Sequence, residues 1–564
     1  MAAEAPENDP VQDRARRLGA ELRGRRLAAE LTQQALADRI AYDRSYLSQV
    51  ETGAQIPAEQ FILQCERELA TGGELLGMFR ELLAEREARR QQAHAMRWHT
   101  SIGDPLRLER ASPPARELRT LELVAWVADH SRLSFQEAYN AVVAQATLLE
   151  TLAPAVRHAE VHRRSRITRE QIAQALVAYY HGSSTDNASA AFYRAHVGDV
   201  PLTLSVLVEQ GWLGLAVQLG SDQERFRLVV PDLNTAAGPL DGPALEAALV
   251  RLAHVEVSGT VVVNSPLYRL LEVEFGQHHL EAVVTLADFA GYALTMDLLE
   301  TELVNTLATT TPQQVSSINP GIASRLPLRD LYLPTAASAL ALDDRLCVGG
   351  PIALLAAARG GISRGRSEPD YALLIQERST RVLNVTGRLA VVPKAFHGPT
   401  VEAGLEARLS ASLERELEEE LLGRQDLEGL VEGSYRQADP FHREHLSEPM
   451  RWLLDRRHTD AYRVECVGFG INMVSGNFEF PCLILIDDEE WWARYGGQVE
   501  ANWETERIRR YSSRDTAGLQ ALTMDPRWSN EGLFAFLEGL RRLAIVGSVS
   551  RLALPTIETR RDGG

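Results

Sequence analysis

The chain has 564 residues, too many for one ordinary hydrophobic core, so two to four domains are expected. Hydrophobic residues make up 45% and charged residues 24%, which is typical of a soluble globular protein. The net charge of −18 excludes a protein that coats nucleic acid nonspecifically, because phosphate repels a negative surface. The acidic amino terminus lacks the apolar core of a secretory signal, and no apolar run reaches the ~20 residues that span a bilayer. We therefore expect a cytoplasmic protein without a membrane partner.

Residues 31–53, LTQQALADRIAYDRSYLSQVETG, predict two short helices joined by a tight turn. Apolar side chains recur at helical spacing, and a capping residue precedes each helix; these are Leu36, Ile40, Leu47 and Val50, with the caps Thr32 and Asp43. Polar side chains near the helix starts or on their outer faces can reach phosphates and base edges. They are Gln33, Gln34, Arg44, Ser45, Tyr46, Ser48 and Gln49. The pattern alone fits a solvated helix face equally well.

The order of these residues, LTQxxLAxRxxxxRSYLSxxExG, resembles the helix-turn-helix of the xenobiotic-response-element (Cro/C1-like repressor) family. Ala41 stands where that family commonly has a turn glycine. Further helices are predicted over 14–29, 58–69 and 75–92, which gives an all-α five-helix domain within residues 1–93. The resemblance implies binding to double-stranded DNA, and because one such domain contacts half a site, it implies a homodimer.

Residues 94–114 lose periodicity and accumulate proline and glycine, which predicts a linker. From 115 to 335 the pattern indicates an α+β middle domain of unknown function. Helices are expected over 121–149, 168–180 and 280–307, and strands over 226–230 and 255–264. The cysteines Cys65, Cys347, Cys466 and Cys482 are widely separated, so no disulfide framework or zinc finger is indicated.

Three short motifs do not support a catalytic or metal site. His158 and His162 lie at i and i+4, but Glu160 is one position late for a zinc-hydrolase pattern. His278 and His279 are adjacent and diverge, so they cannot easily share a metal. The GxSxG sequence around Ser363 follows an alanine-rich run that we expect to be helical, which is the wrong context for a nucleophile elbow.

The region 336–564 contains a second informative stretch. Strands are predicted from 371 and 388, followed by the acidic helix LEARLSASLERELEEELLGR. Its leucines form one apolar stripe; they are Leu405, Leu409, Leu413, Leu417 and Leu421. Glu414 and Glu418 are expected to point away from this stripe, whereas Glu416, Glu419 and Glu420 fall inside or beside it. Strands over 462–474 and 477–486 and a closing helix over 530–544 are expected to complete the domain.

Carboxylates crowded at the border of a core repel one another and require neutralisation. Arginines such as Arg408 and Arg415 can supply it, or Mg²⁺ or Mn²⁺ can bind, since these hard ions favour oxygen ligands. The charge pattern alone favours an arginine-paired surface helix over the metal site.

The strand, the loop and the RELxEE helix resemble the Nudix fold, an α/β/α sandwich. The resemblance implies metal ligation by Glu416, Glu419 and Glu420, with Arg415 as their support. Leu422 replaces the signature glycine, the loop after Pro393 is six residues too long, and neither Glu402 nor Glu406 has the spacing of the upstream glutamate. This region is therefore expected to be a degenerate Nudix-like domain.

The two resemblances together predict a DNA-binding transcriptional regulator whose Nudix-like domain senses a nucleotide-derived ligand. The alternative is an active Mg²⁺-dependent Nudix hydrolase of nucleoside diphosphate derivatives, fused to a DNA-binding domain. A scaffold for partner proteins is a third possibility.

Overall fold

The structure, a computed structural model, describes most of the chain. The described residues are 10–29, 31–40, 42, 44–53, 57, 59–69, 71–82, 120–151, 163–164, 166–181, 190–229, 240–258, 262, 264–309, 326–361, 368–378, 388–399, 403–422, 446–457, 459–496 and 505–559. The chain divides into two compact units, one comprising 1–115 with 439–446 and the other 116–438 with 447–564. Within the described residues, no helix is long and apolar enough to cross a membrane.

The smaller unit is helical. Its elements are α1 Pro10–Ala28, α2 Gln33–Ile40, α3 Arg44–Thr52, α4 Glu59–Leu69 and α5 74–82. The helices predicted for this part of the sequence lie at these positions, whereas the end predicted for the fifth helix and the predicted linker over 94–114 lie outside the described residues.

Apolar faces of all five helices converge on one core. Leu18 and Leu22 of α1 meet Leu36 of α2, Leu47 of α3 and Phe61 of α4, all nearly free of solvent exposure. The apolar residues predicted to face the core within 31–53 are all buried. Hydrophobic burial therefore fixes the positions of α2 and α3 within the smaller unit.

The larger unit combines helices with two sheets. Its helices are α6 Leu121–His130, α7 Phe135–Thr151, α8 Arg169–His181, α9 Gly242–Ser258, α10 Phe289–Ala293, α11 Leu298–Thr309, α12 Pro327–Tyr332, α13 Ala336–Leu340, α14 Leu409–Glu416, α15 Glu448–Leu454, α16 Glu489–Tyr495, α17 Thr516–Thr523 and α18 Asn530–Val546. Its strands are β1 Ala190–Val197, β2 Val200–Glu209, β3 Leu213–Gln218, β4 Glu224–Leu228, β5 Pro266–Gly276, β6 His279–Asp288, β7 Gly349–Arg359, β8 Asp370–Arg378, β9 Leu389–Val391, β10 Tyr462–Gly468, β11 Gly470–Asn472, β12 Asn477–Ile486, β13 Thr505–Ser512 and β14 Ile557–Thr559.

An 11-stranded sheet runs through the described part of this unit in the order β13-β8-β7-β12-β11-β2-β1-β14. Strand β10 pairs with β12 and β3, and β9 pairs with β8. The smaller sheet has the order β4-β6-β5. Strands from both sides of position 335 share the large sheet, because β11 pairs with β2 and β10 with β3. The predicted boundary between 115–335 and 336–564 therefore does not separate two sheets.

The centre of the large sheet is the parallel pair β7 and β12, which is buried at every position. Strands covered on both faces read as continuous apolar runs, and PIALLAAA within β7 is such a run. The expectation that this alanine-rich segment is helical was wrong. A helical context therefore no longer counts against a nucleophile elbow at Ser363. Ser363 itself lies outside the described residues. Helix α18 packs on β7, β12, β9 and β2, where Phe534 and Leu537 fill the core.

Two further predictions for the middle region were wrong. Residues 255–258, expected to begin a strand, are the last turn of α9. The segment expected to be helical from 280 begins instead with β6, and helix resumes only at α10 and α11. In β6 the buried positions alternate with half-buried ones through most of the strand. A period of two, which fits a sheet with one covered face, was mistaken for a helical period.

Candidate nucleic-acid interface

Helices α2 and α3 of the smaller unit form a helix-turn-helix. The side chain of Thr32 accepts a hydrogen bond from the Ala35 backbone at 3.0 Å, as its predicted capping role requires. The Tyr42 amide donates to the Ala37 carbonyl at 2.9 Å and closes the turn after α2. The cap Asp43 and the turn residue Ala41 lie outside the described residues.

A buried ion pair holds α1 to the end of α3. Arg26 donates to both carboxylate oxygens of Glu51, with Nε–Oε1 at 2.5 Å and Nη2–Oε2 at 2.9 Å. Its Nη1 donates to the Leu31 carbonyl just before α2, at 2.8 Å. Gln33 completes the network by donating from its side-chain amide to Glu51 at 2.8 Å. Hydrogen bonding to Glu51 raises the pKa of Arg26, so the guanidinium remains charged over the ordinary pH range.

Close backbone contact between α1 and α3 reinforces this arrangement. A Cβ placed on Gly19 would lie 2.2 Å from the carbonyl oxygen of Val50, so only glycine allows α1 to approach α3 this closely. Gly53, which follows α3, has a φ of +72° and faces the Arg16 backbone. These contacts at the end of α3 thus fix the position of the whole helix, including its start.

The predicted contact residues occupy different environments. Gln34, Arg44 and Gln49 are exposed, Ser48 is half-buried, and the side chain of Ser45 lies outside the described residues. Gln34 and Arg44 line the same shallow surface depression at the beginnings of α2 and α3. The structure thus brings together two residues that are ten positions apart in sequence.

Two predicted contact residues also have internal partners. Gln33 is half-buried and hydrogen bonded to Glu51, as described above. Tyr46 is half-buried, stacks on Tyr42 with ring centroids 5.6 Å apart, and meets the edge of Phe61 at 5.2 Å. Both side chains therefore help to hold the surface in shape. The pairing of Arg26 with Glu51 was not predicted, although the sequence shows an arginine in α1 and a glutamate at the end of α3.

The smaller unit carries exposed arginines on both α1 and α3. Arg16, Arg17 and Arg23 of α1 are exposed, as is Arg44 of α3. Ion pairs with carboxylates also occur in this unit; they are Arg14–Glu81, Arg25–Glu21, Arg25–Glu74 and Arg39–Glu68. Guanidinium and amide groups beside a helix start are suited to phosphate and base-edge contacts.

The predicted acidic helix of the larger unit differs from expectation in two ways. It begins at Leu409 instead of near Leu405, which is exposed in the preceding turn, and its second half is a π-helix, Leu417–Leu422. The wider π turn changes the angular position of each later side chain. Glu418, expected to point away from the core, is buried and accepts from the amide and hydroxyl of Ser447, at 2.6 Å and 2.7 Å.

The predicted metal ligands are partly described. Glu416 and Glu419 are half-buried and each already takes part in a polar or electrostatic interaction, and the side chain of Glu420 lies outside the described residues. Arg415 is buried, with Nη1 3.5 Å from Oε2 of the fully buried Glu406. Among the described side chains, no group of three or more histidine, cysteine, aspartate or glutamate residues could hold a metal ion. A metal site at the three glutamates stays a prediction.

The adjacent histidines and two tryptophans of the larger unit have partners within the protein. His278 Nδ1 lies 3.1 Å from the Ala216 carbonyl oxygen, and His279 lies beside Glu281 at 3.7 Å. The indoles of Trp491 and Trp528 are buried and donate to backbone carbonyls. The pair His158 and His162 lies outside the described residues.

A capped α2, a closed turn and an α3 that presents polar side chains define a helix-turn-helix DNA-binding domain. A family model described as a helix-turn-helix domain matches residues 17–78, which spans the described helices from α1 into α5. A comparison with curated proteins gave no match for this chain.

Proposed function

We propose that this chain is a transcriptional regulator that binds operator DNA through α2 and α3. The observation that carries the proposal is the set of exposed polar side chains, Gln34, Arg44 and Gln49, on helices fixed by the buried Arg26–Glu51 pair. A rigid support of this kind loses little conformational entropy when DNA binds, because its backbone is already ordered. In a chain of net charge −18, this local surface would supply most of the attraction for phosphate.

The regulator is proposed to act as a homodimer of the Cro/C1-like type. One helix-turn-helix reads about one half-site, and two copies related by a twofold axis would read a palindromic operator with half-sites about one helical turn apart. Two half-sites on one DNA molecule raise the effective concentration of the second contact, which compensates for a small interface per subunit.

The larger unit is proposed to be Nudix-like and to sense a nucleotide-derived small molecule. The resemblance is supported by a mixed sheet with the parallel pair β7–β12, by the helix over 409–422 that follows β9, and by the closing helix α18. A ligand that binds one arrangement of the dimer better than another would shift the spacing of the two α3 helices. Operator affinity would then change by the same factor as ligand affinity.

The test measures operator affinity of the full chain across a panel of nucleoside diphosphate derivatives. The expected result is a change of about fivefold or more with one class of compound. A parallel measurement in Arg44→Ala separates the two parts of the proposal, since this variant should lose operator affinity with or without ligand. Operator binding that no compound alters would contradict ligand sensing and leave DNA binding intact.

A further inference from the structure

A cluster of arginines surrounds the start of α8 in the larger unit. We call it the basic corner; it consists of Arg163, Arg164, Arg166, Arg169 and Arg388. Arg163 and Arg166 are exposed, and Arg388 is half-buried. Because the whole chain carries a net charge of −18, such a concentration of positive charge is a local exception.

Backbone and side-chain hydrogen bonds assemble the corner from two distant segments. The amides of Arg166 and Ile167 donate to the carbonyls of Arg163 and Arg164, at 3.3 Å and 3.1 Å, which forms a turn just before α8. Arg388, which directly precedes β9, donates from Nη2 to the Ile167 carbonyl at 2.9 Å. The guanidinium of Arg388 is thereby held against the turn that leads into α8.

The first turn of α8 is also fixed in place. Thr168 accepts at its hydroxyl from the Gln171 amide at 3.2 Å, and its own amide donates to the Gln171 side chain at 2.8 Å. This reciprocal pair is a capping arrangement that holds the helix start rigid. The positive end of the helix dipole therefore faces the same region as the arginines.

Arg169 lies beneath this surface and is incompletely satisfied. Its side chain has no solvent exposure, and its Nη2 donates to Glu170 at 2.7 Å. Its Nε and Nη1 are buried, and neither atom has a hydrogen-bond partner among the residues that the structure describes. Burial lowers the pKa of Arg169, and the nearby charge of Arg388 acts in the same direction. An arginine does not lose its proton in a protein, and Glu170 supplies one negative charge to Arg169. Arg388 lies near Glu300, but burial raises the pKa of Glu300 to about 7, so this carboxyl is only partly ionised at neutral pH and balances Arg388 incompletely.

We propose that the basic corner binds the phosphate group of a small molecule, with Arg388 and Arg166 as direct donors and Arg169 as the buried charge behind them. A guanidinium matches a phosphate through two parallel N–H···O bonds, and a helix start adds positive potential. A phosphate monoester carries a charge of ~−1.5 to −2 at neutral pH, which balances two arginines. The ligand class is thus a phosphorylated metabolite or a nucleotide.

A small ligand fits the corner better than a second stretch of DNA. Arg169 has no solvent exposure, so its charge would be balanced by a ligand held against the half-buried Arg388, and a single phosphate group is small enough for that position. The corner belongs to the unit proposed to sense a ligand, so its regulatory meaning rests on the proposed function. Phosphate binding itself does not depend on DNA binding.

The experiment titrates the full-length protein with inorganic phosphate and, separately, with a nucleoside diphosphate, by calorimetry and by thermal shift. Both probes are expected to bind and to raise the melting temperature, with affinity that falls as salt is added. Arg388→Gln and Arg166→Gln should each weaken binding by roughly tenfold, the loss expected for one charge-assisted bidentate contact. Arg225→Gln, an exposed arginine of β4 that pairs with Glu281, is the matched control and should bind as the wild type does.

Circular dichroism of each variant confirms that it is folded, and Arg166→Gln keeps the test decisive if Arg388→Gln is unstable, because Arg166 is exposed. Absence of binding by both probes, or equal affinity in the Arg166 and Arg225 variants, would overturn the inference. A duplex that binds an Arg44→Ala variant through the corner while phosphate does not would also overturn it, in favour of a second DNA contact. Operator affinity measured without ligand reports on the proposed function independently.

Discussion

Replacement of Glu51 by alanine should strongly destabilise the helix-turn-helix unit. The side chains of Arg26 and Glu51 are only 6% and 2% exposed, so the variant leaves a buried guanidinium whose remaining described acceptor is the Leu31 carbonyl. Removing one partner of a buried ion pair costs ~3–5 kcal/mol. Gln33 loses its acceptor in the same variant. The loss is comparable with much of the ~5–15 kcal/mol that stabilises a whole domain.

Amide hydrogen exchange over α1 to α5 in the full chain is the suitable assay, because a chain of two units does not unfold in a two-state manner. Glu68→Ala is the control, since its pair with Arg39 is solvent-exposed and should contribute at most ~1 kcal/mol. The double variant Arg26→Leu/Glu51→Leu should recover several kcal/mol, because no charge is left buried.

Two results would refute this reasoning. One is a loss of opening free energy in Glu51→Ala that is no larger than in Glu68→Ala. The other is a loss in Arg26→Leu/Glu51→Leu that equals the sum of the losses measured in Arg26→Leu and in Glu51→Leu alone, since additivity means that the two side chains do not interact.

Three further changes have defined outcomes. Arg44→Ala should weaken operator binding by ~1–3 kcal/mol if the side chain contacts a base. The control Arg80→Ala changes an exposed residue of α5 and should leave operator binding unchanged. Gel-shift titration measures both affinities. Gly19→Ala should destabilise the unit by ~1–3 kcal/mol, because the new Cβ would collide with a carbonyl oxygen of α3. The control Gly24→Ala places its Cβ in open space and should stabilise α1 by up to ~1 kcal/mol. Hydrogen exchange measures both changes. Burial lowers the pKa of His397 to about 3. Below the ordinary histidine pKa of ~6.5, the unfolded chain therefore binds a proton at this residue that the folded chain does not bind. The free energy of unfolding should consequently fall by up to ~1.4 kcal/mol per pH unit as the pH is lowered to about 3. Amide hydrogen exchange of the larger unit in His397→Gln should lack this part of the pH dependence, and an unchanged slope would contradict it.

Local sequence signals predicted the helix-turn-helix well. Caps and apolar spacing act within a few residues, so Thr32 and the buried leucines of 31–53 were found where expected. The same reasoning located the strand at 370–378 and the closing helix α18. In these segments local propensity and tertiary environment favour the same structure.

Long-range pairing could not be predicted. Alanines in β7 favour a helix locally, but coverage on both faces of the sheet selects a strand. Gln218 and Glu465, which are far apart in sequence, are direct cross-strand partners in β3 and β10. The support of the candidate DNA site has the same origin, since Arg26 and Glu51 meet only when α1 packs on α3.

Selection of bound sequences from a random pool of duplex DNA tests the central claim most directly. The full-length protein should enrich one palindromic motif with half-sites about one helical turn apart. An Arg44→Ala/Gln49→Ala variant, folded by circular dichroism, should lose that enrichment while keeping weak, salt-sensitive binding. A wild-type selection without any common motif, or a variant that enriches the same motif equally well, would contradict sequence-specific recognition by α3.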